Sequence, residues 1–258
     1  YRTRPIVGGL VSGGTQPGEH LLFMGRDVRR DGVVGVGLTG NIAMETVVAQ
    51  GCRPIGRPMI VTKAEDTIVW ELGGRQALTA LHEVLAGLTP PERELAQRGS
   101  VFVGLAINEM RQAFGSGDFL IRNIVGIDPD IGAIAVADPV GVGQTLQFQL
   151  RDPATSRQEL RRRLQRLDLS SQPFPPAGGL LFNCTGRGKS LYGLANQDVK
   201  TIQTVSGKLP LGGFFCSGEI GPVGGTNFIH SSTASLGLFR PLPVPLPQAP
   251  LSTELQQS

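Results

Sequence analysis

The 258 residues suffice for one large hydrophobic core or two smaller ones, and a hydrophobic content of 40% with a mean hydropathy of +0.02 is typical of an ordinary soluble globular protein. A net charge of only +3 and the scarcity of aromatic residues argue against a nucleic-acid partner. No apolar run approaches the roughly 20 residues that a bilayer span needs, so we expect a cytoplasmic protein without membrane contact.

The first 70 residues predict a β-rich unit. They consist of short runs rich in β-branched residues, with glycine-containing turns between them. The predicted strands are Ile6–Val11, Leu21–Met24, Val33–Leu38, Ile42–Val48 and Ile60–Thr62. The chain starts at Tyr1 without an initiator Met, and we expect it to be part of a longer protein.

From Gly74 onward the hydrophobic period becomes helical, and Pro90 and Pro91 close a predicted helix. A second helix is predicted over Ser156–Leu167, with its entrance at Asp152 and Pro153. Between them we predict four strands, the last two as a pair joined by the turn at Asp138 and Pro139. These strands are Val101–Ile107, Ile121–Val125, Ile131–Ala137 and Thr145–Leu150. The overall prediction is an α+β fold with mixed or antiparallel sheets flanked by a few helices.

The stretch from Gly178 to Phe239 concentrates polar and reactive side chains among glycines, and glycine allows a backbone to turn sharply or to approach a ligand closely. We interpret this stretch as a ligand-binding site. Arg187 has the fork geometry that binds a carboxylate, and Glu219 could bind a cationic group. A simple ion pair between the two residues is the alternative. The further candidates, as hydrogen-bond partners or thiols, are Asn183, Cys184, Cys216, Ser217, Asn227 and His230.

The residues also allow three other chemistries, each with a simpler alternative. Cys184 or Cys216 could be a nucleophile if His230 lay within reach, but buried, reduced thiols are the simpler interpretation. The Gly188-Lys189-Ser190 triplet resembles the end of a P-loop, but Asn183 stands where that motif requires glycine. Three scattered histidines, and three cysteines without a CxxC pair, predict no metal site, no disulfide framework and no cofactor.

Three ordered blocks, LLFNCTGRG at 180–188, PLGGFFCSGEIGPVGG at 210–225 and NFIHSSTASLGLF at 227–239, are similar to the FIST family of F-box and intracellular signal transduction proteins. The resemblance implies the closing part of a FIST N-type domain at 1–71 and a FIST C-type domain at 72–239. We expect a Pro-rich disordered tail at 240–258.

The resemblance implies a sensory module of signal transduction that binds a small ligand, with amino acids among the candidates, and it implies no established reaction. Its partners would be that ligand and a signalling partner or output domain. A cysteine-dependent enzyme using Cys184 or Cys216, and a protein-interaction scaffold, are the alternatives.

Overall fold

The computed structural model describes residues 4–111, 113–115, 117–169 and 171–243, and it shows the predicted α+β fold. The strands, in chain order, are β1 (Gly8–Val11), β2 (Leu22–Met24), β3 (Asp27–Arg29), β4 (Ile42–Ala49), β5 (Cys52–Pro54), β6 (Met59–Glu65), β7 (Ile68–Leu72), β8 (Arg75–Gln76), β9 (Val101–Ala106), β10 (Phe119–Asp128), β11 (Ala133–Val136), β12 (Thr145–Arg151), β13 (Gly178–Cys184), β14 (Leu211–Val223), β15 (Thr226–His230) and β16 (Ala234–Pro241). The helices are α1 (Ala77–Ala86), α2 (Pro90–Gln97), α3 (Pro153–Arg166), α4 (Lys189–Tyr192) and α5 (Gln197–Ser206).

Six strands form a mixed sheet in the order β1-β14-β13-β16-β4, with β15 paired to β14. The β13–β14 pairing is parallel and the other pairings are antiparallel. Apolar side chains on one face, among them Leu181 and Leu236, pack against Leu160 of α3 and Ile202 of α5. The opposite face is therefore free to carry polar groups near β15.

Eight strands form an antiparallel sheet in the order β11-β10-β9-β12-β6-β7-β8, with β5 paired to β12. Because β11 also pairs with β7, the strand order closes into a ring, which we call the barrel. Alternate residues of β12 point into its core, where Phe148 and Leu150 contact the cluster that includes Leu78 and Leu81 of α1. The intervening residues Gln149 and Arg151 therefore lie on the outer face of this strand.

Both helices predicted from the period are confirmed, with slightly different ends. The α3 helix begins as the sequence indicates, because the Asp152 side chain accepts a hydrogen bond from the Thr155 backbone N–H at 2.7 Å and Pro153 occupies the first turn.

Two strand predictions are wrong. Val33–Leu38 forms no strand, and its side chains are largely exposed, with Val33 at 94%. Its glycines weaken strand formation, and its valines pack against no neighbouring sheet. The predicted hairpin of 131–137 with 145–150 does not form either, because residues 137–144 cross the β6–β7 turn, where the Val140 N–H donates to the Asp66 carbonyl at 2.7 Å. Instead, β11 pairs with β10 and β7, and β12 pairs with β9.

Strands that precede residue 72 are built into both sheets: β4 pairs with β16, and β5 and β6 pair with β12.

At the C-terminal end of the described chain, β16 continues to Pro241, two residues past the predicted boundary at Phe239. The rest of the tail that was predicted to be disordered, residues 244–258, falls outside the described residues. Within the part of the chain that the structure describes, no helix is both long and apolar enough to cross a membrane.

Candidate functional site

The polar residues of the site lie where the mixed sheet meets the barrel. The parallel strands β13 and β14 end their pairing at Cys184 and Cys216, and the chain then turns through residues 185–188 into α4. Nearby, β4 leaves the mixed sheet, and Gln50 bridges to the barrel, accepting from the Ile121 N–H at 2.8 Å and donating to the Phe119 carbonyl at 2.7 Å. The carboxyl ends of parallel strands commonly hold ligands, so this junction is a candidate site.

Arg187 forms a fully buried ion pair with Asp198 of α5. The pair is bidentate: Arg187 Nε donates to Asp198 Oδ2 at 2.9 Å, and Arg187 Nη2 donates to Asp198 Oδ1 at 2.8 Å. The Tyr192 hydroxyl also donates to Oδ1 at 2.7 Å, and the Asn183 amide donates to Oδ2 at 2.9 Å. This set of four side chains, Asn183, Arg187, Tyr192 and Asp198, is called the closed network below.

The charges of the closed network are fixed. Burial alone would raise the pKa of Asp198, but the hydrogen bonds and charge of Arg187 hold it below its usual range. The pKa of Arg187 is raised, because Asp198 outweighs the effect of burial. Since the fork of Arg187 is occupied by Asp198, it does not fit the predicted role of binding a ligand's anionic group. The alternative ion pair with Glu219 is not formed either, because Asp198 takes that place.

Glu219 is the buried carboxylate of the junction, with 0% of its surface exposed. Its Oε2 accepts a hydrogen bond from the Thr233 backbone N–H at 3.0 Å, whereas Oε1 has no well-directed partner among the described residues. Burial raises the pKa of Glu219 to about 7, against the lowering effects of the Thr233 N–H, the charges of Arg187 and Arg151, and the nearby Cys184 thiol. The carboxyl can therefore exchange a proton near neutral pH.

A β-bulge places Cys216 and Glu219 on the same face of β14. On β1, Gly9 lies opposite Glu219 and Val11 lies opposite Cys216, so three steps along β14 correspond to two along β1. The Cys216 sulfur occupies the space in which a side chain at Gly9 would collide with it. Burial, and then the charges of Glu219 and Cys184, raise the pKa of the Cys216 thiol to about 12. Cys216 is thus a protonated thiol at neutral pH.

Arg151 brings a second guanidinium to the junction, from the end of β12. The guanidinium lies 5.2 Å from the centre of the Phe102 ring, and its Nε and Nη1 atoms are buried without a hydrogen-bond partner in the described chain. A Cβ atom added at Gly186 would lie 3.5 Å from Arg151 Nη1 and 3.6 Å from Cys184 Sγ, so both groups border the same small space. We call Arg151, Cys184, Gly186 and Glu219 the junction cluster.

His230 lies beside this cluster, opposite Glu219 on the neighbouring strand β15. The ring is buried, and its Nε2 lies 2.9 Å from the Gly221 carbonyl, so Nε2 carries the proton and donates it. Burial lowers the pKa of His230 to about 4, against the raising effect of that hydrogen bond. The neutral ring offers Nδ1 as an acceptor, and this atom has no partner among the residues that the structure describes.

Neither Cys184 nor Cys216 is paired with a histidine among the described residues. Within the described ranges, no histidine ring forms a hydrogen bond with Cys184 or Cys216, and the His230 proton is directed at Gly221. Cys184 Sγ instead accepts a hydrogen bond from the Gly186 backbone N–H at 3.4 Å. The arrangement lacks a base that could activate either sulfur by the usual Cys–His pairing.

Comparison with known proteins decides the family. The FIST N domain model matches residues 1–75, and the FIST C domain model matches residues 77–222. The chain belongs to the FIST family. FIST domains are sensory domains of signal transduction proteins.

Similar proteins occur in mycobacteria. The chain is 48% identical over 234 residues to an uncharacterized protein of Mycobacterium tuberculosis strain H37Rv, and 47% identical over 234 residues to one of Mycobacterium bovis strain AF2122/97. Each alignment covers 91% of this chain and 60% of the relative. The chain therefore spans about 60% of the length of these curated relatives.

The structure brings together part of the predicted set of site residues. Cys184, Cys216, Glu219 and His230 meet at the junction, whereas Asn183 and Arg187 belong to the closed network next to it. The matched FIST C residues include all of these except His230, which lies beyond residue 222.

Two predicted hydrogen-bond partners serve the backbone of the N-terminal strand instead. The Ser217 hydroxyl donates to the Val11 carbonyl at 3.0 Å, and the Asn227 amide donates to the Arg4 carbonyl at 2.8 Å and accepts from the Ile6 N–H at 3.0 Å. With these groups occupied, neither residue contributes to the junction cluster.

Sequence reasoning missed Arg151, which lies outside the glycine-rich FIST C blocks. The signal was the alternation of β12, where Leu146, Phe148 and Leu150 are separated by polar residues that end in Arg151. Such a pattern is equally typical of a strand with one face in water, so it could not reveal the burial of the guanidinium.

Proposed function

We propose that this FIST chain binds a small zwitterion, such as an amino acid, at the junction cluster. The ligand carboxylate would pair with Arg151 and its ammonium group with Glu219. The sensory role of the family supplies the context, and the chemistry of the cluster supplies the ligand class.

One observation carries the proposal: at the same junction are buried a guanidinium with two unsatisfied donors and a carboxylate with one oxygen that has no hydrogen-bond partner among the described residues beyond the weak donor Cys184. A buried polar atom without a partner costs about 1–3 kcal/mol, and more for a charged group. A molecule with a carboxylate and an ammonium group removes both penalties at once. A ligand with only one of these groups would leave the other penalty in place.

The closed network supports this assignment by contrast. Asp198 already neutralises Arg187, so the junction cluster contains Glu219 and Arg151 without further ion-pair partners among the described residues. Guanidinium groups bind carboxylates through two parallel hydrogen bonds, and Arg151 has its Nε and Nη1 donors available. The His230 Nδ1 atom and the Gln149 amide nitrogen are further unpartnered groups for hydroxyl or amide substituents of the ligand.

The test is a calorimetric titration across the twenty amino acids, preceded by a thermal-shift screen. At a hundredfold excess over Kd, a ligand raises the free energy of unfolding by about 2.7 kcal/mol. Because a hydrogen bond to a charged group contributes about 1.5–3 kcal/mol, Arg151→Met and Glu219→Gln should each weaken binding by about tenfold or more. Arg161→Met, on the exposed face of α3, is the matched control and should leave affinity unchanged.

Gly186→Ala provides a steric test that alters no charge. Its added Cβ fits against Arg151 and Cys184 at ordinary contact distance, so the protein should fold normally while the space beside the cluster is reduced. We expect unchanged melting temperature without ligand and weaker binding. If both single variants, Gly186→Ala and Arg151→Met, bind the ligand with unaltered affinity, the ligand lies elsewhere. If no amino acid binds, the proposed ligand class is wrong.

A further inference from the structure

We infer that Cys184 and Cys216 form a redox-sensitive dithiol, which a peroxide oxidises to a disulfide between the adjacent strands β13 and β14. This inference concerns a modification of the junction and does not require that a zwitterion binds there. Only its last consequence, protection by ligand, rests on the proposed function.

The register of the mixed sheet places the two cysteines opposite each other. They are the last pair of the parallel β13–β14 ladder, and their side chains lie on the same face. Neighbouring strands lie about 4.7–4.9 Å apart, and the Cα atoms of disulfides are usually about 4.4–6.8 Å apart. The two thiols are also close enough for the charge of Cys184 to affect the titration of Cys216.

The backbone next to the pair allows the small adjustment that a disulfide needs. On β13, the ladder ends at Cys184 and the chain enters the turn with Gly186. On β14, the β-bulge follows Cys216 directly, and a bulge interrupts regular pairing. The Cys216 sulfur now points over Gly9, and rotation about its Cα–Cβ bond would direct it to β13.

The different exposure of the two thiols assigns their order of reaction. Cys184 is partly exposed, whereas Cys216 is 0% exposed. A peroxide therefore reaches Cys184 first: its sulfur attacks one peroxide oxygen, the O–O bond breaks, and Cys184 sulfenic acid and water (or an alcohol) form. The Cys216 sulfur then attacks the Cys184 sulfur, an S–S bond forms, and the sulfenic hydroxyl leaves as water with the Cys216 proton. In total, two thiols lose two electrons and two protons, and the peroxide takes them up.

Glu219 is placed to assist the second step. The Cys216 thiol is protonated at neutral pH because burial raises its pKa to about 12, so it needs a proton acceptor. The Glu219 carboxyl lies on the same face and its pKa of about 7 leaves it partly ionised under these conditions. We expect the disulfide to form faster above pH 7 than below it, and Glu219→Gln to remove much of that difference.

The test treats the whole chain with hydrogen peroxide. The product is then analysed under non-reducing conditions by intact mass and by peptide mass spectrometry. The expected product has lost two hydrogen atoms and yields a peptide that joins Cys184 to Cys216. Cys52→Ser, which removes the third described thiol, should give the same product. Cys216→Ser should stop at Cys184 sulfenic acid, trapped by dimedone, and Cys184→Ser should form no intramolecular disulfide.

A disulfide that includes Cys52, a product between two chains, or dimedone labelling of Cys216 in place of Cys184 would overturn the inference. Melting curves of each variant in the reduced state show whether it folds. If an amino acid binds as proposed, it should slow oxidation of Cys184 by covering it. Disulfide formation without any such protection would leave the dithiol in place and count against the proposed function alone.

Discussion

The closed network and the junction cluster each place a guanidinium and a carboxylate in the interior, and they differ in how those groups are satisfied. In the closed network, Arg187 and Asp198 neutralise each other and Tyr192 and Asn183 donate to Asp198, so that the Asn183 amide oxygen is the one unpartnered side-chain atom of this set. In the junction cluster, Arg151 and Glu219 keep unpartnered atoms. The comparison teaches that a buried charged side chain in a glycine-rich loop can be fully neutralised by the protein itself, so the unpartnered charged groups of the junction cluster are the better candidates for a ligand.

The largest loss of stability is expected when one partner is removed from the closed network. Asp198→Ala leaves the Arg187 charge buried without compensation, and breaking such a pair costs about 3–5 kcal/mol. We expect a loss of that size in the free energy of unfolding, measured with urea at pH 7. Asp130→Ala, at an exposed position, is the control and should change little. A loss below about 1 kcal/mol, the value of a surface pair, would contradict the account of the closed network.

The second prediction concerns pH and Glu219. The pKa of this carboxyl is near 4.5 in the unfolded chain and about 7 in the folded one, so between these values the folded state holds a proton that the unfolded state has lost. The contribution of Glu219 to stability is therefore complete below pH 4.5 and falls as pH rises to 7, by up to about 1.4 kcal/mol per unit.

Glu219→Gln should remove this loss, so the variant becomes more stable relative to the wild type as pH increases from 5 to 7. His230 acts in the opposite direction in part of this range, because its pKa is lowered to about 4, but it is common to both proteins and cancels in the difference. Urea unfolding at several pH values provides the measurement. A difference independent of pH would contradict the raised pKa of Glu219, and Glu65→Gln, at an exposed position, is the control substitution.

The smallest expected effect sharpens the contrast between the two arginines. Arg151→Met keeps an apolar stem against Phe102 and removes two buried donors that lack partners, so the free energy of unfolding should rise by about 1 kcal/mol or more even after loss of the cation–π contact. Arg187→Met should instead destabilise the protein by about 3–5 kcal/mol, because it leaves the Asp198 carboxylate buried without its ion-pair partner. Equal losses in the two variants, followed by chemical denaturation, would mean that Arg151 has a structural partner.

The sequence was sufficient for the parts of the fold that local rules determine. The α3 entrance at Asp152 and Pro153 follows from capping, and the strand Ile42–Ala49 follows from its β-branched residues. The partners of β11 and β12 could not be predicted, because pairing across the barrel depends on contacts between residues far apart in the chain. The valines of 33–38 misled the prediction because propensity does not reveal that no sheet lies beside them.

The same dependence on contacts between distant residues explains why the candidate site could be predicted only in part. The glycine-rich blocks pointed to the segments that carry Cys184 and Glu219, which the structure brings to the same junction, and their role in binding a ligand stays a prediction. The choice of partners did not follow, because Asp198 lies on a helix with no unusual composition and Arg151 lies on an ordinary alternating strand. Which carboxylate neutralises which guanidinium is a property of the assembled sheets.

The positions of β4 and β5 in the two sheets have a consequence for producing either FIST domain on its own. The two family matches adjoin between residues 75 and 77. Residues on both sides of that point nevertheless contribute strands to both sheets. Cutting there would remove both edge strands, β1 and β4, from the mixed sheet and would take β5, β6 and β7 out of the barrel, which exposes unpaired edges that invite aggregation. The point where the two FIST matches meet is thus not a boundary between the two sheets, because each sheet takes strands from both sides of it.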